Sequence, residues 1–590
     1  MTKKKEILST SAGNPFSDIQ ARNYSDTRVL SEFCPIPLFW TLFNDQHEVV
    51  IGARGCGKTI LFKMMRYSML NKMSDPRAKK IVEEKNYIAL YVPLHLEFIK
   101  RLSSFDLSEE KKIAWFRFSF NCALAQSVVI ELTELIKDIF PDQLARANAE
   151  YELSENIRQL WHLAGDAPIR HFTKLRQEVT KLFYGANLHS FNEDELPNPF
   201  IHSIASALSS INECVCSYLN ISPTWLLCVD EAEFIDECYQ RCINTAFRSD
   251  TNRIAIKMAT LPFYHTTKRT LDEDINVLDG QDFKYTIIEM KPDSPEFINV
   301  TNSIVKTRFA RENVKIERLS DFVETLGNDQ YLDYYTKEVG KEIAEQAHIQ
   351  SNIFSQLSTK SKAHNADKTN DAIRKSVYDK YAPIYYLREM FKKEKGHYVP
   401  GWYAGASMIR RMAQGNPRIF IRIMNELYST ASGKALPLTV KAQHRTLEKF
   451  ARSFCKETQT LEGYGPEAKQ ALDSIAQMIH GQTHGEKLAL TGTTFMLNQK
   501  TDVSKHTAWM HKAIAFSRLF VDDDSLKTEI NLESKFELSN LYAACYWLPM
   551  RNRTPIKILL HDFNSMNKKS PKQYTGLSYE QLSLNLDGCD

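Results

Sequence analysis

One short glycine-rich segment constrains this chain more than any other feature of its sequence. Residues 52–59 read Gly-Ala-Arg-Gly-Cys-Gly-Lys-Thr and fit the pattern G-x-x-x-x-G-K-[ST] at every fixed position. The apolar run Glu48–Ile51 precedes the segment, and a helical pattern from Thr59 to about Leu70 follows it. A strand, a glycine loop and a helix in this order are typical of a phosphate-binding loop. The alternative is a glycine turn that binds nothing, and the context on both sides disfavours it.

The chemistry of such a loop predicts ATP and Mg²⁺ as ligands. Glycines let the backbone curl so that successive N–H groups point at the phosphates, and the helix N-terminus adds its positive end. Lys58 supplies a point charge for the β- and γ-phosphates, and the Thr59 hydroxyl ligates Mg²⁺. The expected nucleotide-binding residues are Gly52, Ala53, Arg54, Gly55, Cys56, Gly57, Lys58, Thr59 and Ile60.

A second apolar run, Trp225–Val229, ends in the acids Asp230 and Glu231. A phosphate-binding loop needs a carboxylate on the Mg²⁺ side, at the end of a neighbouring strand. We expect Asp230 to fill this role on the strand adjacent to the loop strand, and Glu231 to activate the attacking water as a general base. The alternative is a strand that ends in solvated acids.

Apolar runs alternate with helical patterns over the first half of the chain, which predicts an α/β fold with a parallel sheet covered on both faces. The helical stretch at about 105–215 reads as an insertion, and beyond Pro292 the pattern is helical. Thr260 ends the fourth strand, where its hydroxyl is expected to bond the attacking water or the γ-phosphate; an ordinary strand-end threonine is the alternative. The five predicted strands are 48–51, 87–96, 225–229, 253–259 and 283–290.

The 590 residues are too many for one hydrophobic core, so two to four domains are expected. In the last part, helices at 466–479, 504–517 and 541–547 and two short strands at 519–522 and 535–538 predict a winged-helix-like domain. The predicted order is an N-terminal arm at 1–28, an ATPase core at 29–292, a helical lid at 293–450 with a polar insertion at about 328–395, the winged-helix-like domain at 460–555, and a flexible tail at 556–590.

Composition adds little to this outline. A net charge of +3 neither demands nor excludes nucleic acid. The 11 cysteines form no C-x-x-C pair, so no zinc site is expected. There is no apolar leader and no run of about 18 apolar residues, so we expect a cytoplasmic protein without a membrane partner.

Residues 415–427 carry a resemblance to a family. They read Gly-Asn-Pro-Arg and then Ile-Phe-Ile-Arg-Ile-Met-Asn-Glu-Leu, which resembles the sensor-two motif of AAA+ ATPases. The likeness is closest to the origin-recognition-complex type and to RuvB-like helicase loaders. It implies that Arg418 opens a lid helix and reaches the γ-phosphate in its own subunit, and that Thr260 holds the sensor-one position. A helix-start turn with a surface arginine is the alternative.

The resemblance also implies a homo-oligomer in which an arginine of the next subunit completes each site. Arg269 is the best-placed candidate, with Arg248 and Arg253 as alternatives. The stretches that carry the likeness are 48–60, 225–233, 253–262 and 407–427. The helical insertion and a second one at about 300–395 depart from compact members. They resemble a prokaryotic branch of this type found with mobile elements and phage defence, which is an analogy.

Two other classes fit part of the pattern. Asp230–Glu233 looks like the DEAx box of a superfamily-two helicase, yet the chain beyond Pro292 offers no second sheet domain of that class. A STAND-like signalling switch would use the same residues to bind ATP with little turnover and to present a surface to a protein effector. A DNA-bound scaffold that never hydrolyses ATP is disfavoured by the intact acid pair.

We therefore expect an ATP-hydrolysing switch or motor that acts on double-stranded DNA, through the winged-helix-like domain, or on a protein partner. Five basic clusters are candidates for phosphate contacts, although most charge runs are solvated faces: Lys3–Lys5, Lys392–Lys395, Arg410–Arg411, Arg551–Arg553 and Lys568–Lys572.

Overall fold

The computed structural model describes most of the chain, and its described residues form two compact units. The sheet unit comprises the described residues of Gln20–Gly52 and Cys56–Glu289, and the helical unit comprises those of Met1–Ile19, Ala53–Gly55 and Met290–Asp590. The described residues are 13–20, 23–163, 167–188, 200–249, 253–272, 274–324, 343, 381–394, 401–486, 488–498, 501–521, 530, 533–550, 555–558 and 560.

The sheet unit contains a five-stranded sheet in the order β2-β3-β4-β1-β5, with every neighbouring pair parallel. A strand lies at each of the five predicted positions, and the α/β fold class is confirmed. The second and fifth strands end earlier than predicted. The strands are β1 (Glu48–Ile51), β2 (Tyr87–Pro93), β3 (Thr224–Asp230), β4 (Ile254–Thr260) and β5 (Lys284–Ile287).

The helices of the sheet unit include the predicted insertion between β2 and β3. They are α1 (Asp26–Glu32), α2 (Pro37–Thr41), α3 (Lys58–Met65), α4 (Tyr67–Leu70), α5 (Pro76–Glu84), α6 (Leu96–Ser104), α7 (Glu109–Ile139), α8 (Gln143–Leu160), α9 (Phe172–Leu188), α10 (Ser206–Leu219) and α11 (Glu237–Arg248).

The single helix predicted from Thr59 to Leu70 is wrong, because the chain breaks at Arg66. This residue is extended, with φ −53° and ψ 141°, and it separates α3 from α4. Its backbone bridges Ala89 of β2, and its guanidinium donates to Asp26 Oδ1 at 2.6 Å. The sequence gives no proline or glycine at this point, so the break is imposed by these contacts.

A buried ion pair lies between β1 and β4. Lys257 and Glu48 face each other in the strand register, with Nζ and Oε1 2.9 Å apart and side-chain exposures of 0% and 3%. Lys257 also donates to Asn44 Oδ1 and to the Gln46 carbonyl, and Thr286 of β5 donates to Glu48. Burial opposes the charge on Glu48, but Lys257 and these hydrogen bonds hold the pKa of the carboxyl below its usual value.

Helix α7 is the longest helix among the described residues of the sheet unit. Its 31 residues include an 18-residue stretch with a mean hydropathy of 1.3, which makes it long and apolar enough to cross a bilayer by length and composition alone. In this structure 78% of that apolar stretch is buried within the protein. A core helix satisfies the same criteria, and α7 is packed as one, against β2, α9 and α10.

The helical unit follows. Its helices are α12 (Pro295–Arg311), α13 (Leu319–Phe322), α14 (residues 381–394), α15 (Ala406–Ala413), α16 (Pro417–Ala431), α17 (Val440–Glu457), α18 (Gly465–His484), α19 (Thr507–Ala515) and α20 (Asn540–Cys545). Its strands are β6 (Thr494–Leu497), β7 (Leu519–Val521), β8 (Lys535–Leu538) and β9 (Ile556–Ile558), in the order β7-β8-β6-β9.

The two short strands predicted here are half of this second sheet. Strands β7 and β8 pair antiparallel, as a wing would. Strand β6 adds to β8, and β9 pairs parallel with β6. The sequence interpretation missed β6 and β9, and it placed β9 in the flexible tail, because three or four residues of alternating character give little periodic signal.

The predicted N-terminal arm contains packed residues. Phe16 is fully buried in the helical unit, with its ring 5.5 Å from that of Phe309 and 6.1 Å from that of Tyr428. Asn14 Nδ2 donates to Asn425 Oδ1 at 2.9 Å. The fully buried Arg308 donates to the Pro15 carbonyl at 3.2 Å. Residues 14–16 therefore pack against the helical unit, with Phe16 in its core.

Several predictions fall outside the described residues. These concern residues 1–12 of the predicted arm, most of the polar insertion at 328–395, and the tail beyond residue 560. The predicted boundary between the lid and the winged-helix-like domain stays a prediction.

The Glu48–Lys257 pair gives a test of the sheet. Lys257→Met should lower the free energy of unfolding by about 3–5 kcal/mol, because it leaves the Glu48 carboxylate buried without a counter-charge. Glu48→Gln combined with Lys257→Met should recover most of the loss. Lys284→Met is the matched control, since this lysine lies opposite Glu48 on β5 but is exposed. Thermal unfolding followed by circular dichroism measures the three variants, and an unchanged Lys257→Met transition would contradict the argument.

Candidate nucleotide site

The glycine loop joins β1 to α3. Gly57 has φ 110° and stands immediately before α3, whose first residue is Lys58. Lys58 is buried, and its Nζ donates to the Gly52 carbonyl at 2.6 Å, so the ammonium lies back over the start of the loop. A Cβ on Gly52 would come within 2.4 Å of Cys56 Sγ. The loop is therefore closely wound, and the residue preceding α3 adopts a backbone conformation that glycine favours.

Asp230 ends β3 at the same edge of the sheet. It is 2% exposed, and its two oxygens accept hydrogen bonds from the Tyr91 hydroxyl and the Glu231 N–H, each at 3.0 Å. Burial, then the carboxylate itself, raises the pKa of Tyr91 far above its usual value, so the phenol stays protonated and donates. The carboxylate is thus fixed in orientation by two donors.

Glu231 follows in a strained backbone conformation. Its φ of 66° and ψ of 30° place a non-glycine residue in the left-handed region. Such strain persists only where surrounding contacts hold it, and it concentrates at functional sites. The turn directs the chain out of β3 while the Glu231 side chain remains partly exposed.

Thr260 lies between these two strand ends. It pairs with Ile51 in the register of β1 and β4, and its carbonyl accepts from the Gly52 N–H at 3.2 Å. Its side chain is 1% exposed, and within the described part of the chain its hydroxyl has no hydrogen-bond partner. A buried hydroxyl without a partner is costly, and a ligand atom would remove that cost.

One expectation about the acids is wrong. Asp230 does not lie on the strand next to the loop strand, because β4 is inserted between β1 and β3. Two strand spacings place the ends of β1 and β3 about 9.5 Å apart. That gap is bounded by the loop on one side and by Asp230 on the other, with the Thr260 hydroxyl between them.

The residues at this edge fit a triphosphate with Mg²⁺. The loop has no room for side chains at Gly52, Lys58 supplies a positive charge, and Thr59 at the start of α3 is only half-buried. Asp230 supplies a carboxylate of the kind that Mg²⁺ prefers. The unpartnered Thr260 hydroxyl adds an independent observation in favour of a ligand.

In the helical unit, Asn416 holds the tip of the loop. Its Oδ1 accepts from the N–H groups of Arg418 and Ile419 and so caps α16. Its Nδ2 donates to the Arg54 carbonyl at 3.0 Å and to Ser517 Oγ at 3.1 Å. All four hydrogen-bonding positions of this buried amide are therefore in use.

Arg418 lies directly against the same loop residues. Its N–H donates to the Gly55 carbonyl at 3.3 Å. Gly55 has φ 94°, and a Cβ there would lie 2.5 Å from Arg418 Cβ and 2.8 Å from Asn416 Oδ1. The Arg54 N–H donates to the Ala515 carbonyl at 2.8 Å. The first turn of α16 thus contacts the loop by backbone, and the Arg418 side chain is half-exposed.

Comparison with known protein families places the chain in one of them. A family model described as ORC-CDC6-like matches residues 14–558, almost the whole chain. The chain belongs to the ORC-CDC6-like family. Searches of curated proteins and of solved structures found no match. Membership supports an AAA+ ATPase and removes the superfamily-two helicase alternative; the prokaryotic branch stays a prediction.

In this ORC-CDC6-like chain the three candidate trans-acting arginines differ in their contacts. Arg248 donates to the Asn276 carbonyl at 2.9 Å, and Arg253 donates to the Ser222 carbonyl. Arg269 is exposed, and the described residues offer its guanidinium no partner; its backbone is held by Asn244 and Thr267. Arg269 is therefore the most available of the three.

One of the five basic clusters, Arg410–Arg411, is less available than the sequence suggested. Arg410 donates to Thr301 Oγ1 and Asn302 Oδ1, and Arg411 pairs with Asp293 at 3.2 Å. These two arginines bind within the unit. Lys3–Lys5, Lys395, Arg551–Arg553 and Lys568–Lys572 lie outside the described residues.

A second group of metal-ligand residue types lies in the helical unit. Glu394, His444 and Glu448 place ligand atoms within 4.8 Å of one another. His444 Nδ1 accepts the Tyr403 N–H at 3.0 Å, and burial lowers the pKa of His444 to about 4. The neutral ring therefore carries its proton on Nε2, which has no hydrogen-bond partner among the described residues. A ring nitrogen that bears a proton does not ligate a metal.

The sequence interpretation missed Tyr91 and the network around Asn416. Tyr91 lies within an apolar strand and looks like any core tyrosine, so no signal was present. Asn416 carried a signal, because Asn before Pro is a strong helix start, but its second role toward Arg54 depends on a long-range contact.

The close approach at Gly55 yields a matched pair of variants. Gly55→Ala should impair ATP binding or turnover at least tenfold, because the methyl group separates the loop from α16. Gly463→Ala is the control: its φ of 88° matches, yet a Cβ there meets nothing within 4 Å. Its free energy of unfolding should fall by only about 1 kcal/mol, which is the conformational cost of an alanine with positive φ. Equal ATPase activity in the two variants would refute the contact's importance.

Proposed function

We propose that this chain binds ATP with Mg²⁺ and hydrolyses it, and that the cycle drives a change of shape. The observation that carries the proposal is the Thr260 hydroxyl, buried without a described partner between the end of the loop strand and the Asp230 strand. The family membership supports an AAA+ ATPase, and the residue roles below are our inference.

The phosphates would be held from one side of the gap. The loop residues 52–60 present backbone amides, and Lys58 presents its ammonium to the β- and γ-phosphates. Thr59 and Asp230 would ligate Mg²⁺, Asp230 in the orientation set by Tyr91. Bound Mg²⁺ neutralises charge on the phosphate oxygens and aligns them for attack by water.

Glu231 would activate that water. Glu231 follows Asp230 directly, and its side chain is partly exposed. Its strained backbone fixes the direction in which that side chain leaves the main chain. A carboxylate in this place accepts a proton from water as the water attacks. Thr260 would orient the same water or the γ-phosphate.

Two arginines would complete the nucleotide site. Arg418 would reach the γ-phosphate in its own subunit, which its backbone contact with Gly55 supports. Arg269 would act on the site of the next subunit in a homo-oligomer, which its exposed position supports.

The ATPase cycle would act on one of two kinds of partner. The hairpin β7–β8 beside α19 supports a winged-helix-like domain that contacts double-stranded DNA, and a protein effector is the other candidate. We place the protein in the cytoplasm, without a membrane partner. Its resemblance to a prokaryotic branch connected with mobile elements and phage defence makes antiviral defence a suggested setting.

A signalling switch with little turnover is the second candidate. Hydrogen bonds hold the tip of the loop from both sides. Asn416 Nδ2 donates to the Arg54 carbonyl, the Arg418 N–H donates to the Gly55 carbonyl, and the Arg54 N–H donates to the Ala515 carbonyl at the end of α19. A loop held this firmly favours slow exchange. Steady-state turnover measured against a single round of nucleotide exchange separates the two candidates.

Glu231→Gln tests the assignment of the general base. The amide keeps the size of the side chain but cannot take a proton, so hydrolysis should fall about 10²–10⁴-fold while ATP remains bound. Lys58→Ala should instead abolish binding. Filter binding and phosphate release distinguish the two effects. Normal turnover by Glu231→Gln would show that another group activates water.

Mixing two inactive variants tests Arg269. Arg269→Ala should lower turnover by about 10³-fold or more with binding intact. When it is mixed with Lys58→Ala, roughly a quarter of the interfaces in a head-to-tail assembly should pair an intact loop with an intact arginine. Activity should then return. Arg248→Ala is the control and should retain activity alone; a mixture that stays inactive would rule out action in trans.

A further inference from the structure

A pair of cysteines lies between two helices of the helical unit. Cys455 is in the last turn of α17, and Cys545 is the last residue of α20. The Cys455 thiol lies against α20 and donates to the Leu541 carbonyl at 3.9 Å, one helical turn before Cys545. Cys455 is 3% exposed, whereas Cys545 is half-buried. The two sulfurs are therefore neighbours in space, and one of them is open to small molecules.

Cys545 lines a cavity of about 400 Å³. Arg452 of α17, His480 of α18 and Trp547 line the same cavity. The volume admits a small oxidant, and the mixed lining allows polar molecules to enter. The more buried Cys455 does not line it.

The two thiols differ in pKa because their surroundings differ. The neighbouring Cys455 thiol lowers the pKa of Cys545. Burial and Asp473 oppose this shift, whereas Arg452 and Lys469 add to it. Lys469 also forms an ion pair with Asp473. Burial raises the pKa of Cys455 well above its usual value, so this thiol keeps its proton. One member is thus a nucleophile and the other a proton donor.

The remaining cysteines in the described ranges provide a contrast. Where the pKa of one of these thiols is shifted, burial raises it, which favours an unreactive thiol. This holds for Cys34, Cys122, Cys214, Cys216, Cys228, Cys238 and Cys242.

We propose that Cys545 is a redox-active thiol that hydroperoxides oxidise, and that Cys455 resolves it to a disulfide between α17 and α20. The Cys545 thiolate attacks one peroxide oxygen; an S–O bond forms, the O–O bond breaks and hydroxide or alkoxide leaves. The Cys455 sulfur then attacks the Cys545 sulfur. The S–S bond forms, the S–O bond breaks, and the departing oxygen takes the Cys455 proton and leaves as water.

This disulfide would tie α17 to a helix that holds the end of α15. Asn540, the first residue of α20, donates through Nδ2 to the Arg411 carbonyl and through its N–H to Gln414 Oε1, each at 2.8 Å. Gln414 immediately precedes the turn at Gly415. Oxidation would therefore fix α20 at both of its ends.

The test uses the folded full-length chain and hydrogen peroxide. After brief oxidation, free thiols are alkylated and peptides are mapped without reduction. We expect a linked Cys455–Cys545 peptide, with a loss of about 2 Da that dithiothreitol reverses. Cys455→Ser should stop at a sulfenic acid on Cys545, which dimedone traps. Cys545→Ser should leave Cys455 unmodified.

Cys238→Ser is the matched control, because Cys238 is also half-buried but has a raised pKa of about 11. It should form the same disulfide as the unaltered chain. Oxidation of Cys238 or Cys216 as fast as Cys545, or oxidation of Cys545 without a link to Cys455, would overturn the proposal. The mapping of the unaltered chain decides this even if Cys455→Ser fails to fold, and Cys455→Ala is then the replacement.

Discussion

The candidate site depends on the placement of β4 between β1 and β3. The buried ion pair between Glu48 of β1 and Lys257 of β4 holds these two neighbouring strands together. Thr286 of β5 also donates a hydrogen bond to Glu48. A charge on the wrong strand would remain unpaired, so the pair disfavours other registers. With this register, the last residue of β4 reaches the level of the glycine loop. The chemistry at the carboxyl ends of these strands thus depends on an ion pair that begins at the first residue of β1.

The chemistry of single segments could be predicted from the sequence, because each needs only a few neighbouring residues. The glycine loop, the acids after β3 and the Asn-Pro helix start all carry their signal in consecutive positions. The order of the strands does not. Nothing in the runs at 225–229 and 253–259 says which of the two pairs with β1, since both are apolar and equally able to be central strands. The adjacency of Asp230 to the loop strand was assigned wrongly for this reason.

Polar contacts between residues that are far apart in the sequence could not be predicted either. Tyr91 orients Asp230 across β2 and β3, and Glu131 of α7 accepts from the Ser68 N–H at 2.7 Å, at the start of α4. Arg66 leaves the helical conformation although its neighbours favour it. In each case a partner far along the chain outweighs local propensity, so a reading of 10–20 consecutive residues has no access to the cause.

The helical unit shows how one amide can serve two purposes. Asn416 caps α16 with its oxygen and holds Arg54 and Ser517 with its nitrogen. Replacing either set of partners would leave a buried polar group unpaired, at a cost of about 1–3 kcal/mol. The position of Arg54 and the start of α16 therefore share one side chain: drawing the Arg54 carbonyl away would leave an Nδ2 hydrogen of Asn416 unpaired beside the residues whose N–H groups its oxygen caps.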